Sequence, residues 1–265
     1  MAIRWIGSKA LLATLVLILP PLAQAHDFWI EPSNFNPKPD ERVSISERFG
    51  DRFEGVSVQR TNARIERFVA VGPDGEHPIP GPDGSDPIGT TQFSKPGVYV
   101  IGYRNTPRMV EFEPVKFEHY LAEKGLMDIL DLRKERGMTD NVQREAFSHC
   151  LKTLIRVGDA PGTDRVLGLK YELIAESPLA GHGPQPQIFR VLYEGKPLKG
   201  ALVTATRRHA PSDILYARSD AEGRVKFVLK DAGDWALVTV HMIEAPKTLQ
   251  AVWESFWASL TFQLP

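Results

Sequence analysis

The residues most able to do chemistry follow an N-terminal stretch that has the features of a secretory leader. Arg4 and Lys9 precede an apolar run at residues 10–19, and the sequence Ala-Gln-Ala ends at Ala25. A basic start, a short apolar run and small residues before a cleavage point are typical of a signal peptide. The alternative is a membrane anchor, but this run would be about 15 Å long as a helix, half of a roughly 30 Å bilayer core. We therefore expect cleavage after Ala25, with His26 as the first residue of a periplasmic or secreted protein.

A histidine at a new N-terminus is a chelator. Its α-amine, with an ordinary pKa of about 7.7–8.0, and its ring Nδ1 can bind one metal ion together. Nitrogen donors suit copper, nickel, cobalt or zinc better than magnesium or calcium. Asp27 could add an oxygen ligand, or could accept a hydrogen bond that orients a ring. The simpler interpretation is that cleavage leaves His26 first by chance and that it binds nothing.

One more imidazole would complete a site with three nitrogens, and His241 is a candidate. It lies near the end of a predicted strand, residues 235–242, on a mixed face, while the alternate residues of that strand form an apolar face. A half-buried histidine whose ring bonds a neighbouring carbonyl explains the same position. His119 and His149 fall on predicted helices, where we expect both at the surface.

Composition removes several classes of function. The 265 residues carry 32 Lys and Arg against 33 Asp and Glu, a balance that argues against a nucleic-acid-binding protein. The single cysteine, Cys150, excludes an intrachain disulfide and a thiolate-rich metal site, and we expect it to be buried as a small apolar side chain. The sequence lacks the local motifs of nucleotide-binding proteins, serine hydrolases and zinc proteases. No stretch after the leader is apolar enough to span a bilayer.

Short alternating segments separated by turns predict a mainly β fold. The 21 glycines and 21 prolines agree with many turns between short elements. We predict two β-sandwich domains, Ig-like or transthyretin-like, joined by a two-helix segment. The divisions are a signal peptide at 1–25, an N-terminal β-sandwich at 26–115, a helical linker at 116–160 and a C-terminal β-sandwich at 161–265.

The two linker helices are predicted from different features. Residues 117–136 are charged and helix-favouring. Residues 140–156 carry an apolar stripe at helical spacing, and Asp140 with Gln143 forms a variant of the capping box. The members of the stripe are Val142, Ala146, Phe147, Cys150, Leu151, Leu154 and Ile155.

Several segments of the sequence resemble those of a known family in the same order. They are HDFWIEPS at the mature start, YLAEKGL and LKTLIRVG in the middle, and GKPLKGALV, SDAEGRV, GDWALVTVHM and WESFWASLTF toward the end. They resemble the secreted uncharacterised family described as the periplasmic component of cobalt/nickel uptake systems. The later segments also resemble transthyretin-like and carboxypeptidase regulatory-like modules. The resemblance implies β-sandwich domains and a metal held by three nitrogens, two from His26 and one from His241. Ser148-His149-Cys150 departs from the family pattern, so a role for His149 would be specific to this chain.

These observations favour a periplasmic metal-binding protein without catalysis, which supports the uptake or delivery of nickel, cobalt or copper to a partner such as a membrane metal transporter. Two alternatives stay open. A copper oxidase resembling histidine-brace monooxygenases would use the same three nitrogens and keep a coordination position open. An interaction module would bind a protein or a glycan through its β domains and make no use of His26.

Overall fold

A computed structural model describes residues 26–179, 183 and 185–265, so the predicted signal peptide at 1–25 lies outside the described residues. The prediction of a mainly β fold is confirmed, because strands make up most of the regular structure. In chain order the strands are β1 (Asp27–Pro32), β2 (Arg42–Asp51), β3 (Glu54–Val58), β4 (Ile65–Gly72), β5 (Gly75–Pro78), β6 (Gly89–Gln92), β7 (Gly97–Asn105), β8 (Arg108–Phe112), β9 (Gln143–Val157), β10 (Tyr171–Ala175), β11 (Gln187–Tyr193), β12 (Lys196–Pro197), β13 (Leu202–Arg207), β14 (Leu215–Arg218), β15 (Arg224–Phe227), β16 (Gly233–Glu244) and β17 (Trp253–Leu264). The α-helices are α1 (Pro114–Glu123) and α2 (Met127–Glu135).

The largest sheet contains strands from both predicted domains. Its order is β14-β13-β16-β17-β9-β7-β4-β5, and β8 also pairs with β9. The junction is the parallel pair of β17 with β9, which runs from Trp253 opposite Glu145 to Thr261 opposite Thr153. A smaller sheet of β1, β2, β3 and β6 belongs to the N-terminal part, and one of β10, β11, β12 and β15 belongs to the C-terminal part.

The prediction of a helix over residues 140–156 is wrong, because these residues form the long strand β9. β9 is buried on both faces: Leu151 and Ile155 pack in one apolar cluster, and Cys150 and Leu154 pack in another. A strand covered on both faces has a nearly continuous apolar pattern, which periodicity alone does not separate from a helix. The predicted linker therefore contains a central strand of the large sheet in addition to helices.

The helix predicted over residues 117–136 forms as two short helices, α1 and α2. The break falls at Gly125, whose φ of 70° is in the left-handed region that favours glycine. An added Cβ at Gly125 would also lie 2.8 Å from the Cβ of Leu202, so the turn passes very close to β13. The buried side of α1, Phe117 and Tyr120, packs against Trp253 and Trp257 of β17.

Cys150 is buried, as expected from the sequence. Burial raises the pKa of its thiol to about 11, so the thiolate that binds metals or reacts with oxidants is disfavoured. The candidate donors for a metal in this chain are therefore nitrogen and oxygen atoms.

Candidate functional site

His26 lies directly before β1, at the end of the small N-terminal sheet, and it is exposed. Its ring meets the ring of Phe49 edge-on, with centroids 4.6 Å apart. Phe49 stands opposite Phe28 in the pairing of β1 with β2. The start of the strand is thus held by a paired neighbour and by ring contacts, while the histidine faces solvent.

Asp27 is buried and points to the other side of β1 from Phe28. The ammonium of Lys124, which follows α1, donates a 2.8 Å hydrogen bond to its Oδ1 and also lies 3.2 Å from Glu123. Burial raises the pKa of Asp27, and the ammonium of Lys124 offsets part of that rise. One carboxylate oxygen of Asp27 is therefore already engaged, and the ion pair ties the start of β1 to the end of α1.

His241 lies on β16, half-buried among aromatic rings. Its ring centroid is 4.5 Å from that of Tyr193 and 5.8 Å from that of Tyr171. Burial lowers the pKa of His241 to about 4, so its ring is neutral at physiological pH. The sequence analysis offered a half-buried histidine as the simpler explanation for His241, and the structure places the side chain in a half-buried position.

The structure does not bring His26 and His241 together. His241 stands opposite Phe256 in the register of β16 with β17, whereas Trp257 is the next residue along and points to the other face. It is Trp257 whose ring contacts Phe28 of β1, with centroids 6.4 Å apart. His241 therefore lies on the face of the nine-stranded sheet opposite the one that the N-terminal strand covers.

His149 was expected at the surface, and this prediction is wrong, because its ring is only 1% exposed. The error follows from the helix assigned to β9, since as a strand residue His149 points into the interface with the N-terminal sheet. Its Nδ1 is 3.2 Å from Glu47 Oε1 and 3.2 Å from Asn105 Nδ2, and its ring stacks on Phe28 at 3.8 Å.

Glu47 and Asn105 gave no signal in the sequence, since β2, β7 and β9 bring them to His149 from distant positions. The backbone N–H of His149 also donates to Asn105 Oδ1 at 2.7 Å. Within the described part of the chain, Nε2 of His149 is buried and has no partner. A carboxylate at one ring nitrogen fixes the orientation of an imidazole and the nitrogen that carries its proton.

A cavity of about 730 Å³ begins at Asp27. Its floor includes residues of β13 and β16 on the face opposite His241, and its walls include residues of α1 and of the turn between β2 and β3. His119 of α1 lines it and is exposed, as the sequence predicted. The lining residues are Asp27, Asp51, Arg52, His119, Ala122, Glu123, Lys124, Leu202, Thr204, Thr206, Ile214, Tyr216, Val238, Thr239 and Val240.

The turn that forms one wall of the cavity has an uncommon backbone. Arg52 and Phe53 have φ values of 52° and 63°, in the left-handed region that bulky residues rarely adopt. The ring of Phe53 is held by Trp29, 5.5 Å away, and by the guanidinium of Arg208, 4.0 Å above it. Residues in such conformations persist where their surroundings fix them, and they are common at binding sites.

Two features of the described residues concern metal ions and membranes. Among them, no three His, Cys, Asp or Glu side chains are grouped so that they could hold a metal ion. None of the helices in residues 26–179 and 185–265 is long and apolar enough to cross a membrane.

A family model described as a domain of unknown function, DUF4198, matches residues 23–243. The chain belongs to this family. The match includes His26, β1, the residues that line the cavity and His241. None of the curated proteins matches the chain.

Several solved structures resemble this DUF4198 chain weakly. The D0-D1 domain of intimin has 12% sequence identity and a TM-score of 0.21, covering 89% of this chain and 97% of that one. A tetra-tandem repeat from the extending region of a large adhesion protein has 11% identity and a TM-score of 0.23, covering 91% and 50%. The Yersinia pseudotuberculosis adhesin InvE has 9% identity and a TM-score of 0.21, covering 89% and 58%. Scores this low carry no argument about function.

Proposed function

We propose that the protein is a periplasmic metal-binding protein that holds a nickel, cobalt or copper ion at His26 and supports its uptake or delivery. The observation that carries the proposal is the position of His26, exposed at the first strand of the fold and held there by Phe49. Cleavage after Ala25 would free the α-amine beside this ring. The amine and Nδ1 of one residue would then form a chelate that the backbone already holds together.

Asp27 serves this site as an anchor. Its ion pair with Lys124 is largely buried, with side-chain exposures of 11% and 12%. A chelating residue that is already held in place loses less conformational entropy when the metal binds. The exposed side of His26 stays open to solvent, which suits a protein that hands its ion to a partner such as a membrane metal transporter. The uptake role and the periplasmic location rest on the predicted leader and on the family resemblance.

The test is a titration of mature protein, confirmed by mass to begin at His26, with nickel, cobalt and copper. A semisynthetic variant that is acetylated at its N-terminus has an amide in place of the α-amine of His26, has no other α-amine, and keeps every side chain. We expect this variant to bind the preferred metal at least about 100-fold more weakly, a loss of about 2.7 kcal/mol of binding free energy. Calorimetry or competition with a chromophoric chelator measures the difference.

The matched control is His241→Ala, which removes an imidazole from the opposite face of the sheet. We expect this variant to bind the metal with the affinity of the mature protein. Equal affinity of the mature and the acetylated proteins would overturn the proposal. A loss of binding in His241→Ala alone would mean that the metal lies elsewhere.

A further inference from the structure

The strand β14 forms one edge of the nine-stranded sheet. It pairs with β13, and among the described residues no strand pairs with its other side. The N–H of Ser219, which follows β14, donates to the carbonyl oxygen of Ala201 across this pair. Because the backbone groups of successive strand residues point to opposite sides, those of Arg218 and Tyr216 point away from β13. β14 therefore offers the backbone donors and acceptors of two exposed residues to an added strand.

The side chains of Tyr216 and Arg218 lie at two neighbouring cavities. Tyr216 stands opposite Thr204 and Arg218 stands opposite Leu202, so both side chains are on the same face of the sheet. Tyr216, which is 62% exposed, lines the cavity described above. Arg218 lines a second cavity of about 490 Å³. The open edge of β14 thus runs past both cavities.

The turn between α1 and α2 separates the two cavities. The guanidinium of Arg218 donates a 3.2 Å hydrogen bond to the carbonyl oxygen of Gly125 in this turn, and Lys124 and Leu202 line both cavities. Residues that face the same side of a strand are two positions apart, about 6.5 Å. A strand added to β14 would therefore place one side chain at each cavity, two residues apart.

The two cavities carry net charges of opposite sign. With His119 neutral, three acids and two bases line the first cavity, and these are Asp27, Asp51, Glu123, Arg52 and Lys124. The second cavity is lined by Lys199 and Arg218 against the single acid Asp128. Lys124 also lines it, but the ammonium of Lys124 is bonded to Asp27 in the first cavity. The first cavity therefore favours a basic side chain and the second an acidic one.

We propose that β14 binds an extended segment of a partner protein as an added antiparallel strand. In the order of the partner's chain, an acidic residue would stand opposite Arg218 and a basic residue opposite Tyr216. Lysine suits the second of these positions, because its methylene groups can pack on Val238 and Val240, which also line the first cavity. The segment is thus Glu-x-Lys, flanked by residues that favour strands. This inference goes beyond the proposed function, because it involves neither His26 nor a metal ion.

The experiment measures the binding of two labelled peptides to the mature protein by fluorescence polarisation. The probe is Thr-Val-Glu-Val-Lys-Val-Thr, blocked at both ends, and the control is Thr-Val-Lys-Val-Glu-Val-Thr, which has the same composition and exchanges the two charges. We expect the probe to bind at least about tenfold more tightly than the control, about 1.4 kcal/mol. Equal binding, or tighter binding of the control, would overturn the proposal.

Methylation of peptide nitrogens tests the strand pairing. In the proposed register, the N–H groups of the peptide's glutamate and lysine donate to β14, whereas the N–H of the valine between them points to solvent. Methyl groups on the glutamate and lysine nitrogens should weaken binding at least about tenfold, and one on that valine should weaken it less than about threefold. Equal losses would overturn the proposal.

A pair of variants tests the edge of β14 from the protein's side. Tyr216→Pro removes an N–H that points away from β13, a position where an edge strand accepts proline. Tyr216→Thr removes the same ring and keeps the N–H. Urea unfolding checks that both variants fold, and we expect the proline variant to bind the probe at least about tenfold more weakly than the threonine variant.

Two further results would overturn the proposal. One is equal binding of the probe by the two folded variants. The other is a concentration-dependent dimer of the mature protein that Tyr216→Pro abolishes, because a second copy of the chain would then occupy β14. None of these results affects the metal titration of the mature and acetylated proteins, so the two proposals can fail separately.

Discussion

Replacement of Lys152 by methionine is expected to destabilise the fold by about 3–5 kcal/mol, the usual cost of removing one partner from a buried ion pair. The ammonium of Lys152 is fully buried in β9, 2.9 Å from Asp164 and 3.1 Å from Glu172. It also donates to the carbonyl oxygens of Arg165 and Leu173 at 3.1 and 3.0 Å. Methionine fills similar space but leaves two buried carboxylates without their cation.

The two carboxylates also order the chain that precedes β10. Glu172 accepts hydrogen bonds from the backbone N–H groups of Leu167 and Gly168, and Asp164 accepts one from Ala175. Loss of the charge on Lys152 should therefore loosen the segment between β9 and β10. Hydrogen exchange of these amides should become faster in the variant than in the unmodified protein.

Urea unfolding followed by tryptophan fluorescence measures the loss of stability. The matched control is Lys134→Met, because Lys134 is exposed and lies 3.7 Å from Asp131 on the surface of α2. An exposed pair contributes less than about 1 kcal/mol, so this variant should unfold close to the unmodified protein. If the two variants lose equal stability, the Lys152 network does not stabilise the fold as argued.

Replacement of Glu145 by glutamine is expected to change how stability depends on pH. Glu145 of β9 is buried, and it accepts hydrogen bonds from Ser255 and, at 3.2 Å, from the hydroxyl of Tyr120. Its Oε2 is buried without a partner within the described part of the chain. Burial raises the pKa of this carboxyl from 4.5 to about 7, although both hydroxyl donors lower it in part.

The sign of the effect follows from the two pKa values. The protonated carboxyl stabilises the folded state fully below pH 4.5, where the unfolded chain is also protonated. Between pH 4.5 and about 7 the unfolded chain loses its proton first, so the folded protein loses stability as pH rises. The difference in unfolding free energy between Glu145→Gln and the unmodified protein should therefore shift by about 3 kcal/mol in favour of glutamine across this window.

Urea unfolding at intervals between pH 4.5 and 8 measures this difference. Since other groups titrate identically in both proteins, including the half-buried His241, subtraction leaves the contribution of Glu145. Above the folded-state pKa the difference should become constant. Two curves that stay parallel across the whole range would show that Glu145 titrates at its ordinary pKa in the folded protein.

Local pattern predicted most strands and failed where burial on both faces removed the alternation. The strand predicted over residues 235–242 forms within β16, because its apolar residues alternate along the chain. β9 was assigned to a helix, because its neighbours in the sheet come from distant segments and bury both of its faces. The same error placed His149 at the surface and hid its contact with Glu47.

In the candidate site, too, features formed by adjacent residues could be predicted from the sequence, whereas contacts between distant segments could not. The sequence predicted His26 as a chelating residue, because the leader and the histidine are adjacent in the chain. His26 and His241 are separated because the side chain of His241 lies on the face of β16 that the N-terminal strand does not cover. The pairing of β16 with β17 shows which face this is, and the sequence alone does not. The cavity joins the turn at Arg52, the end of α1 and the face of β13, which no short segment of sequence connects.

The central claim is that the α-amine and ring of His26 bind one metal ion together. Electron paramagnetic resonance of the mature protein loaded with one equivalent of Cu(II), prepared with unlabelled and with ¹⁵N-labelled histidine, tests it directly. We predict hyperfine coupling to two histidine nitrogens, both changed by the label, and loss of one of them when the N-terminus is acetylated. The same couplings in the mature and the acetylated proteins would contradict the claim, because the amine would then not be a ligand.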